Sequence, residues 1–97
     1  MAVCFIIEPP DVNVETYERV RAEVRMDDNP PTGLIMHCAG AGGDGAWRVI
    51  EVWESTAAQQ NFMRDRLGAA LQKGGVKQPK ITEIPLHQLS IPKAVVA

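Results

Sequence analysis

The sequence predicts an α+β domain whose elements follow the order strand, helix, strand, strand, helix, strand. Four segments place apolar residues at alternate positions, which is typical of strands, and two longer segments repeat them at three- and four-residue spacing, which is typical of helices. The chain has 97 residues, the size of one domain. We therefore expect a single domain over residues 1–90 and a C-terminal tail over residues 91–97.

The first strand and the first helix lie in the N-terminal part of the chain. Residues 3–8 form the alternating segment, and it is followed by Pro9, which cannot donate to a strand ladder. Asp11 or Asn13 can cap the next helix, along which an apolar stripe runs that includes Tyr17. The pattern predicts a helix that covers one face of a sheet.

A hairpin follows the proline-rich turn at residues 27–33. Its first strand, residues 34–39, is apolar except for His37, and its second strand, from Trp47 to Trp53, carries large apolar groups on both faces. The loop between them is rich in glycine. Because phosphate-binding glycine loops open onto a helix and this one joins two strands, we interpret it as a flexible hairpin loop.

The second helix and the last strand complete the domain. The helix is predicted from Thr56 to Gly74, with Thr56 and Gln59 at the spacing of a capping box. The last strand covers residues 81–89 and contains Pro85, which favours an edge position or a bulge because proline lacks the N–H that a central strand needs.

This order of elements is that of the ferredoxin-like fold, in which a four-stranded antiparallel sheet has both helices on one face. The other face is left bare, although it carries apolar side chains such as Ile50. A domain of this size buries only about two thirds of the surface of its unfolded chain. We therefore expect a homodimer in which a second copy covers the bare face.

Charge and composition argue against several partners. The formal net charge is -2 and both signs are spread along the chain, so there is no basic stripe for nucleic acid and no polybasic segment for a membrane surface. No apolar run approaches the ~20 residues that span a bilayer, and the N-terminal residues match a strand rather than a secretion signal. Cys4 and Cys38 lie in apolar strand patterns, which favours buried thiols in a reducing compartment and therefore a cytoplasmic protein.

The third strand and the helix after it carry a family resemblance. The motif IEVWES, residues 50–55, preceded by a short glycine-containing hairpin and followed by a helix with Phe62, resembles the antibiotic-biosynthesis-monooxygenase-like members of the dimeric α/β-barrel superfamily. In element order the resemblance covers nearly the whole chain. It implies that two sheets pair face to face, with a small-molecule cavity between each sheet and its own helices.

The resemblance also implies a range of activities. Members of the superfamily include cofactor-independent oxygenases of aromatic polyketides, polyketide cyclases, haem-degrading enzymes and muconolactone isomerase-like proteins. Trp53 matches a tryptophan that lines the cavity in some of the oxygenases, whereas Val49 stands where they have an amide and Gln59 where they have a tyrosine. No histidine falls on the second helix, where the haem-degrading members bind iron, and we expect no cofactor.

Acid–base side chains mark the candidate catalytic residues, which are Glu51, His37 and His87. Histidine exchanges protons near neutral pH, and a carboxylate does so in an apolar pocket such as two indoles form. Glu51 shares its strand face with both tryptophans because side chains repeat every two residues. The residues expected to bind substrate are Trp53, Trp47, Tyr17, Arg66 and Phe62. The sequence has no spaced motif for a metal ion.

The catalytic candidates also have structural interpretations. Glu51 can form an ion pair with Arg66 or Arg48. His37 can be a hydrogen-bonded residue at the sheet surface or the dimer seam, and His87 lies late in the predicted edge strand. These alternatives stay open at the level of sequence.

The register of the hairpin decides which side chains meet. A loop centred near Gly43 places His37 opposite Val49. His37, Glu51 and Trp53 then share one face of the sheet, because residue parity decides the face. We expect Glu51 to be the titrating group of the site, with His37 as its partner.

Two classes of function fit these observations. The first is a small cofactor-independent enzyme that acts on a hydrophobic aromatic or polyketide-like metabolite, by acid–base chemistry such as cyclisation, isomerisation or lyase chemistry, or by monooxygenation. The second is a non-catalytic small-molecule-binding or interaction protein on the same scaffold, because a fold does not determine a function. A cavity lined by Trp47, Glu51 and Trp53 favours the enzyme, and a cavity filled by the two indoles favours the binding protein.

Overall fold

The computed structural model describes residues 1–92 and has the predicted α+β architecture. The strands are β1 (Val3–Glu8), β2 (Leu34–Ala41), β3 (Trp47–Trp53) and β4 (Lys80–Pro85). The helices are α1 (Val14–Val24), α2 (Thr56–Phe62) and α3 (Gly68–Lys73), with a π-helical turn (Met63–Leu67) between α2 and α3. The strands lie in the order β2, β3, β1, β4, each antiparallel to its neighbour. This is the ferredoxin-like arrangement, and the predicted fold is confirmed.

Helix α1 begins at a side-chain cap. Of the two candidates, Asn13 is the cap, and its side-chain oxygen accepts the backbone N–H of Thr16 at 2.9 Å. The helix ends at Arg25, a non-glycine residue with a left-handed φ of 61°. Tyr17 and Arg21 lie four residues apart on this helix, so their side chains emerge on the same side.

The second helix covers Thr56 to Lys73, close to the prediction, and contains a π-helical turn over Met63–Leu67 in its middle. Ser55 caps α2 by accepting the N–H of Ala58 at 3.1 Å. The predicted capping box does not form, because the cap position belongs to Ser55 and the Thr56 hydroxyl donates to Glu83 at 3.4 Å. No helix within residues 1–92 is long and apolar enough to cross a membrane.

The register of the hairpin is shifted by two residues from the predicted one, since His37 pairs with Glu51 and not with Val49. The turn is closed by the Gly42 N–H, which donates to the carbonyl of Ala46 at 2.8 Å, so the loop is centred later than predicted. A shift of two residues keeps the parity. His37 and Glu51 therefore share one face, as predicted, and they are direct neighbours.

Strand β4 lies at one edge of the sheet, as Pro85 predicted. It ends at Pro85 instead of continuing to residue 89, because proline offers no N–H to the ladder. His87 is exposed beyond the end of the strand. The predicted tail is described only as far as residue 92, and residues 93–97 lie outside the described part of the chain.

The hydrophobic core lies between the sheet and the helices. Its centre is Trp53, which is fully buried and whose ring centroid lies 5.3 Å from that of Phe62. The core cluster consists of Val3, Phe5, Val24, Trp53, Phe62 and Ala70. Side chains on the opposite face of the sheet include Met36, Ile50 and Ile84, which are 42%, 36% and 41% exposed. We call this opposite side of the sheet the open face.

Both cysteines lie on the open face, where Cys4 is opposite Val52 and Cys38 is opposite Ile50. They are free thiols. Cys38 is exposed and Cys4 partly so, which corrects the expectation that both are buried. The reason is that the helices of one chain cover only the other face of the sheet.

Candidate active site

A cavity of about 100 Å³ lies between the helix-covered face of the sheet and the helices, and it is partly open to solvent. Its wall is almost entirely apolar, with side chains such as Val20 from α1, Val49 from β3 and Leu67 from the π-helical turn. The polar residues at the wall are Thr16, Tyr17, Arg21, His37 and Glu51. Pockets for drug-sized ligands are usually about 300–1,000 Å³, so this cavity is well below the size of such pockets.

A chain of hydrogen bonds runs from helix α1 to the buried carboxylate. Arg21 Nη1 donates to the Tyr17 hydroxyl at 3.1 Å, and that hydroxyl lies 2.6 Å from His37 Nε2. His37 Nδ1 lies 2.8 Å from Glu51 Oε2. The indole N–H of Trp53 donates to the second oxygen, Glu51 Oε1, at 3.1 Å. We call these five residues the hydrogen-bond chain.

The donors at its two ends give the hydrogen-bond chain a direction. Guanidinium and indole N–H groups can only donate, and a carboxylate can only accept. With Glu51 ionised, His37 Nδ1 donates to Glu51 Oε2. The other ring nitrogen of a neutral His37 then accepts the O–H of Tyr17. Every proton in the chain therefore points towards the carboxylate.

Glu51 is 3% exposed, and a buried carboxylate is costly unless donors satisfy it. Here an imidazole and an indole serve its two oxygens. The alternative ion pairs with Arg66 and Arg48 do not form. Arg48 instead pairs with Glu8 at 3.4 Å and with Asp44 at 3.3 Å, and Arg66 donates to backbone carbonyls.

Arg21 belongs to this site, although the sequence patterns did not indicate it. Its Nη2 donates to Asp27 Oδ1 at 2.6 Å, while Nη1 holds the Tyr17 hydroxyl. Hydrogen bonds to Asp27 and to Tyr17 raise the pKa of Arg21, so the guanidinium stays charged. The signal available in the sequence is its position four residues after Tyr17, on the same side of α1.

The two tryptophans occupy different positions. Trp47 lines the cavity, and its ring centroid lies 5.0 Å from that of Tyr17. The indole N–H of Trp47 is buried and has no hydrogen-bond partner among residues 1–92. Trp53 lies in the core and is not part of the cavity wall, although it was expected to contact substrate. Its N–H holds Glu51 in place.

The remaining candidates divide between the cavity and the surface. Phe62 lines the cavity. Arg66 lies outside it, donating to the carbonyls of Val24 at 2.7 Å and Asn29 at 2.6 Å, with its guanidinium 5.4 Å from the centre of the Phe62 ring. His87 is exposed beyond β4 and also lies outside the cavity. The structure thus brings together most of the candidates and leaves Arg66 and His87 apart.

No protein-family model and no curated protein matches this chain, but solved structures do. SnoaB, a cofactor-independent oxygenase from Streptomyces nogalater, matches with a TM-score of 0.65 and 16% identity over 95% of this chain and 98% of its own. A candidate antibiotic biosynthesis monooxygenase from Chloroflexus aurantiacus matches with 0.66 and 13%, over 94% and 99%. The heme-degrading protein Rv3592 from Mycobacterium tuberculosis matches with 0.59 and 19%, over 93% and 99%.

The chain therefore shares the fold of these proteins, which is the fold that the resemblance implied. At these identities the likeness shows the fold alone. The names of the matched proteins describe different activities, so a function for this chain has to be argued from its own site.

Proposed function

We propose that this chain is a small cofactor-independent enzyme that transfers protons to and from a compact, hydrophobic aromatic or polyketide-like molecule. The observation that carries the proposal is the connection of a buried carboxylate, through His37, to a hydroxyl at the wall of an otherwise apolar cavity. Cyclisation, isomerisation and lyase reactions all use such proton transfer. The substrate would lie between the sheet and the helices, with Trp47 and Phe62 against its ring.

The physical chemistry of the site supports this assignment. Histidine is suited to accept and return a proton near neutral pH, and the carboxylate at 2.8 Å both orients the imidazole and stabilises its charged form. The apolar wall lowers the local dielectric constant, which strengthens these electrostatic contacts. Monooxygenation is the alternative reaction, supported by the fold shared with SnoaB. We place acid–base chemistry first because the polar groups at the wall are proton donors and acceptors.

A second candidate is a non-catalytic small-molecule-binding protein. Two observations favour it, namely the full burial of Trp53 and the small volume of the cavity, about 100 Å³. The hydrogen-bond chain favours the enzyme, since a binding protein for apolar molecules has no need of a buried carboxylate connected to a histidine.

The assembly we propose is a homodimer in which the open faces of two chains pack together. The apolar side chains exposed on that face, Met36, Ile50 and Ile84, supply the driving force. Packing would also cover Cys38, and free thiols suit the cytoplasm.

The function is tested by proton exchange on a model substrate. β-Tetralone is an aromatic ketone whose protons beside the carbonyl exchange slowly with heavy water, and proton NMR follows their loss. We expect the wild-type chain to accelerate this exchange. Glu51→Gln should reduce the acceleration by ~10²–10⁴-fold, the range for losing a general acid or base system.

Glu83→Gln is the matched control, because Glu83 is an exposed glutamate on β4 outside the cavity. We expect it to retain the wild-type rate. A wild-type chain that binds β-tetralone without accelerating exchange would favour the binding protein, and a fully active Glu51→Gln variant would remove the carboxylate from the mechanism.

A further inference from the structure

His37 has no free position at which to meet a ligand, and burial shields Glu51 from one. One oxygen of Glu51 is bonded to His37 and the other to Trp53, and its side chain is 4% exposed. Both ring nitrogens of His37 are engaged, Nε2 by Tyr17 at 2.6 Å and Nδ1 by Glu51 at 2.8 Å. A molecule in the cavity can therefore reach His37 only by displacing a partner. The oxygens of Glu51 each keep a second lone pair, but the side chain that carries them is almost fully buried.

Tyr17 has an unused position. A phenol oxygen donates one hydrogen and offers two acceptor lone pairs. The Tyr17 O–H is directed to His37 Nε2, and one lone pair accepts from Arg21 at 3.1 Å. One lone pair remains, and Tyr17 lines the cavity. Within the hydrogen-bond chain, Tyr17 is only partly buried whereas Glu51 is buried, so the Tyr17 oxygen is the less shielded of the acceptors with a free lone pair.

We infer that Tyr17, rather than His37 or Glu51, is the group that exchanges a proton with the ligand, an inference that rests on the proposed acid–base function of the site. The acidic hydrogen of the ligand passes to the Tyr17 oxygen while the O–H hydrogen of Tyr17 passes to His37 Nε2. One bond to hydrogen breaks on the ligand and one on Tyr17, and one forms on Tyr17 and one on His37, so no further reactant is required.

His37 and Glu51 are positioning residues in this scheme, since they act on the ligand through Tyr17. After the transfer, the imidazolium of His37 faces the Glu51 carboxylate across the 2.8 Å hydrogen bond, which stabilises the new charge. The ligand is left as an anion beside a neutral tyrosine hydroxyl. The hydroxyl now donates to that anion.

Arg21 and the cavity define the class of ligand. The charged guanidinium next to the Tyr17 hydroxyl favours a negative charge on the ligand oxygen. The rest of the wall is apolar, and the cavity is about 100 Å³. The ligand class is therefore a compact ring that carries one ionisable oxygen, such as a phenol or an enol.

The probe for this inference is para-nitrophenol, a single ring whose anion absorbs visible light while the neutral form does not. We expect it to bind the wild-type chain and to show a higher ratio of anion to neutral form when bound than when free at the same pH. Tyr17→Phe keeps the ring and removes the oxygen, so binding should remain within about tenfold. The bound ratio should fall about tenfold to a hundredfold, as expected on losing one hydrogen bond to a charged group.

Nitrogen NMR of the histidine rings provides a second measurement that needs no variant of Tyr17. The chain has two histidines, and the His37 signals are those absent from His37→Asn. Without the probe, Nε2 of His37 should be unprotonated, and with the probe bound it should gain a proton. In Tyr17→Phe the probe should leave His37 Nε2 unprotonated, and Glu83→Gln should behave as the wild type does.

Three results with para-nitrophenol would each overturn the inference. In the first, the wild-type chain does not bind para-nitrophenol. In the second, Tyr17→Phe leaves the ratio of bound anion to neutral form unchanged. In the third, His37 Nε2 stays unprotonated when the probe is bound to the wild type. The proposed function fails separately. If Glu51→Gln loses β-tetralone exchange and Tyr17→Phe retains it, the function stands and Tyr17 is not the exchanging group. If the wild type ionises para-nitrophenol through Tyr17 but does not exchange β-tetralone, the Tyr17 assignment stands and the enzymatic function does not.

Discussion

Strand β3 presents Glu51 to the face that the helices cover and Ile50 to the open face. Glu51 is 3% exposed and has a hydrogen-bond donor on each oxygen, whereas Ile50 is 36% exposed. On adjacent positions of one strand, the charged side chain is buried and the apolar side chain meets solvent. This is the reverse of what hydrophobic burial alone produces.

Each reversal points to something beyond the fold of a single chain. A carboxylate under the helices lowers stability unless its partners compensate, so its place is better explained by chemistry in the cavity. Apolar side chains that are exposed to water do not stabilise the single chain. The open face is therefore better explained as a surface that a second copy covers. The covered face of the sheet thus holds the proposed site, and the open face the proposed interface.

The largest effect on the covered face is expected for Trp53→Ala. Trp53 is fully buried and also donates to Glu51, so its loss leaves a cavity in the core and a carboxylate oxygen without a donor. We expect the free energy of unfolding to fall by roughly 3–5 kcal/mol, measured by urea denaturation. Ile50→Ala, on the same strand but the open face, should cost about 1 kcal/mol in the dilute chain. Equal costs for the two variants would contradict the contrast between the faces.

The next effect concerns the open face. Ile50→Glu places a charge at the proposed interface, where pairing of two chains would bury it without a partner. An unpaired buried charge costs about 3–5 kcal/mol, so the dissociation constant of the dimer should rise more than a hundredfold. Sedimentation should show a monomer with the circular dichroism of the wild type. Gln60→Glu, at an exposed position on α2, should sediment as the wild type does, and a wild-type monomer at micromolar concentration would refute the interface.

The smallest effect is expected in the hairpin turn. This turn sets the register of β2 against β3 and therefore decides which residues lie opposite each other. Asp44 accepts the N–H of Ala46 at 3.0 Å and pairs with Arg48, and both contacts lower the pKa of Asp44, the backbone hydrogen bond most. A lowered pKa in the folded state means that the stabilisation is fully present above the ordinary aspartate value of about 4 and is lost as the pH falls through the lower folded value.

Asp44→Asn should therefore be slightly less stable than the wild type at neutral pH, and the difference should vanish in acid. Thermal melts at a series of pH values measure it. A difference that grows as the pH falls would mean that Asp44 does not stabilise the turn through its charge.

Periodicity was sufficient to predict the fold and the face on which Glu51 lies, because two-residue alternation is a local property of a strand. The register was missed by two residues, because the glycine-rich loop does not specify where the chain turns. The error did not change the predicted face of His37, because a shift by an even number of residues keeps each side chain on the same face of the sheet.

The sequence patterns could not predict which side chains of different elements contact each other. The 2.6 Å contact between Tyr17 and His37 depends on how α1 docks on the sheet, which no local spacing specifies. Trp53 was expected at the cavity wall because it shares a strand face with Trp47 and Glu51 and matches a cavity tryptophan of the similar oxygenases. The position of Phe62, which packs against its ring, places Trp53 beneath that wall instead.

The π-helical turn between α2 and α3 decides which side chains of the second helix lie on the same side of its axis. Phe62 and Ala70, both in the core, are eight residues apart, which in a regular α-helix would put them about 80° apart around the axis. A π-helical turn accommodates one additional residue, so the two side chains lie within about 20° of each other. A chain with one residue fewer here would form a straight helix with the same two core contacts. We expect the second helix to vary in length by this single residue during evolution, with the insertion at the exposed positions Arg64 and Asp65 and the core unchanged.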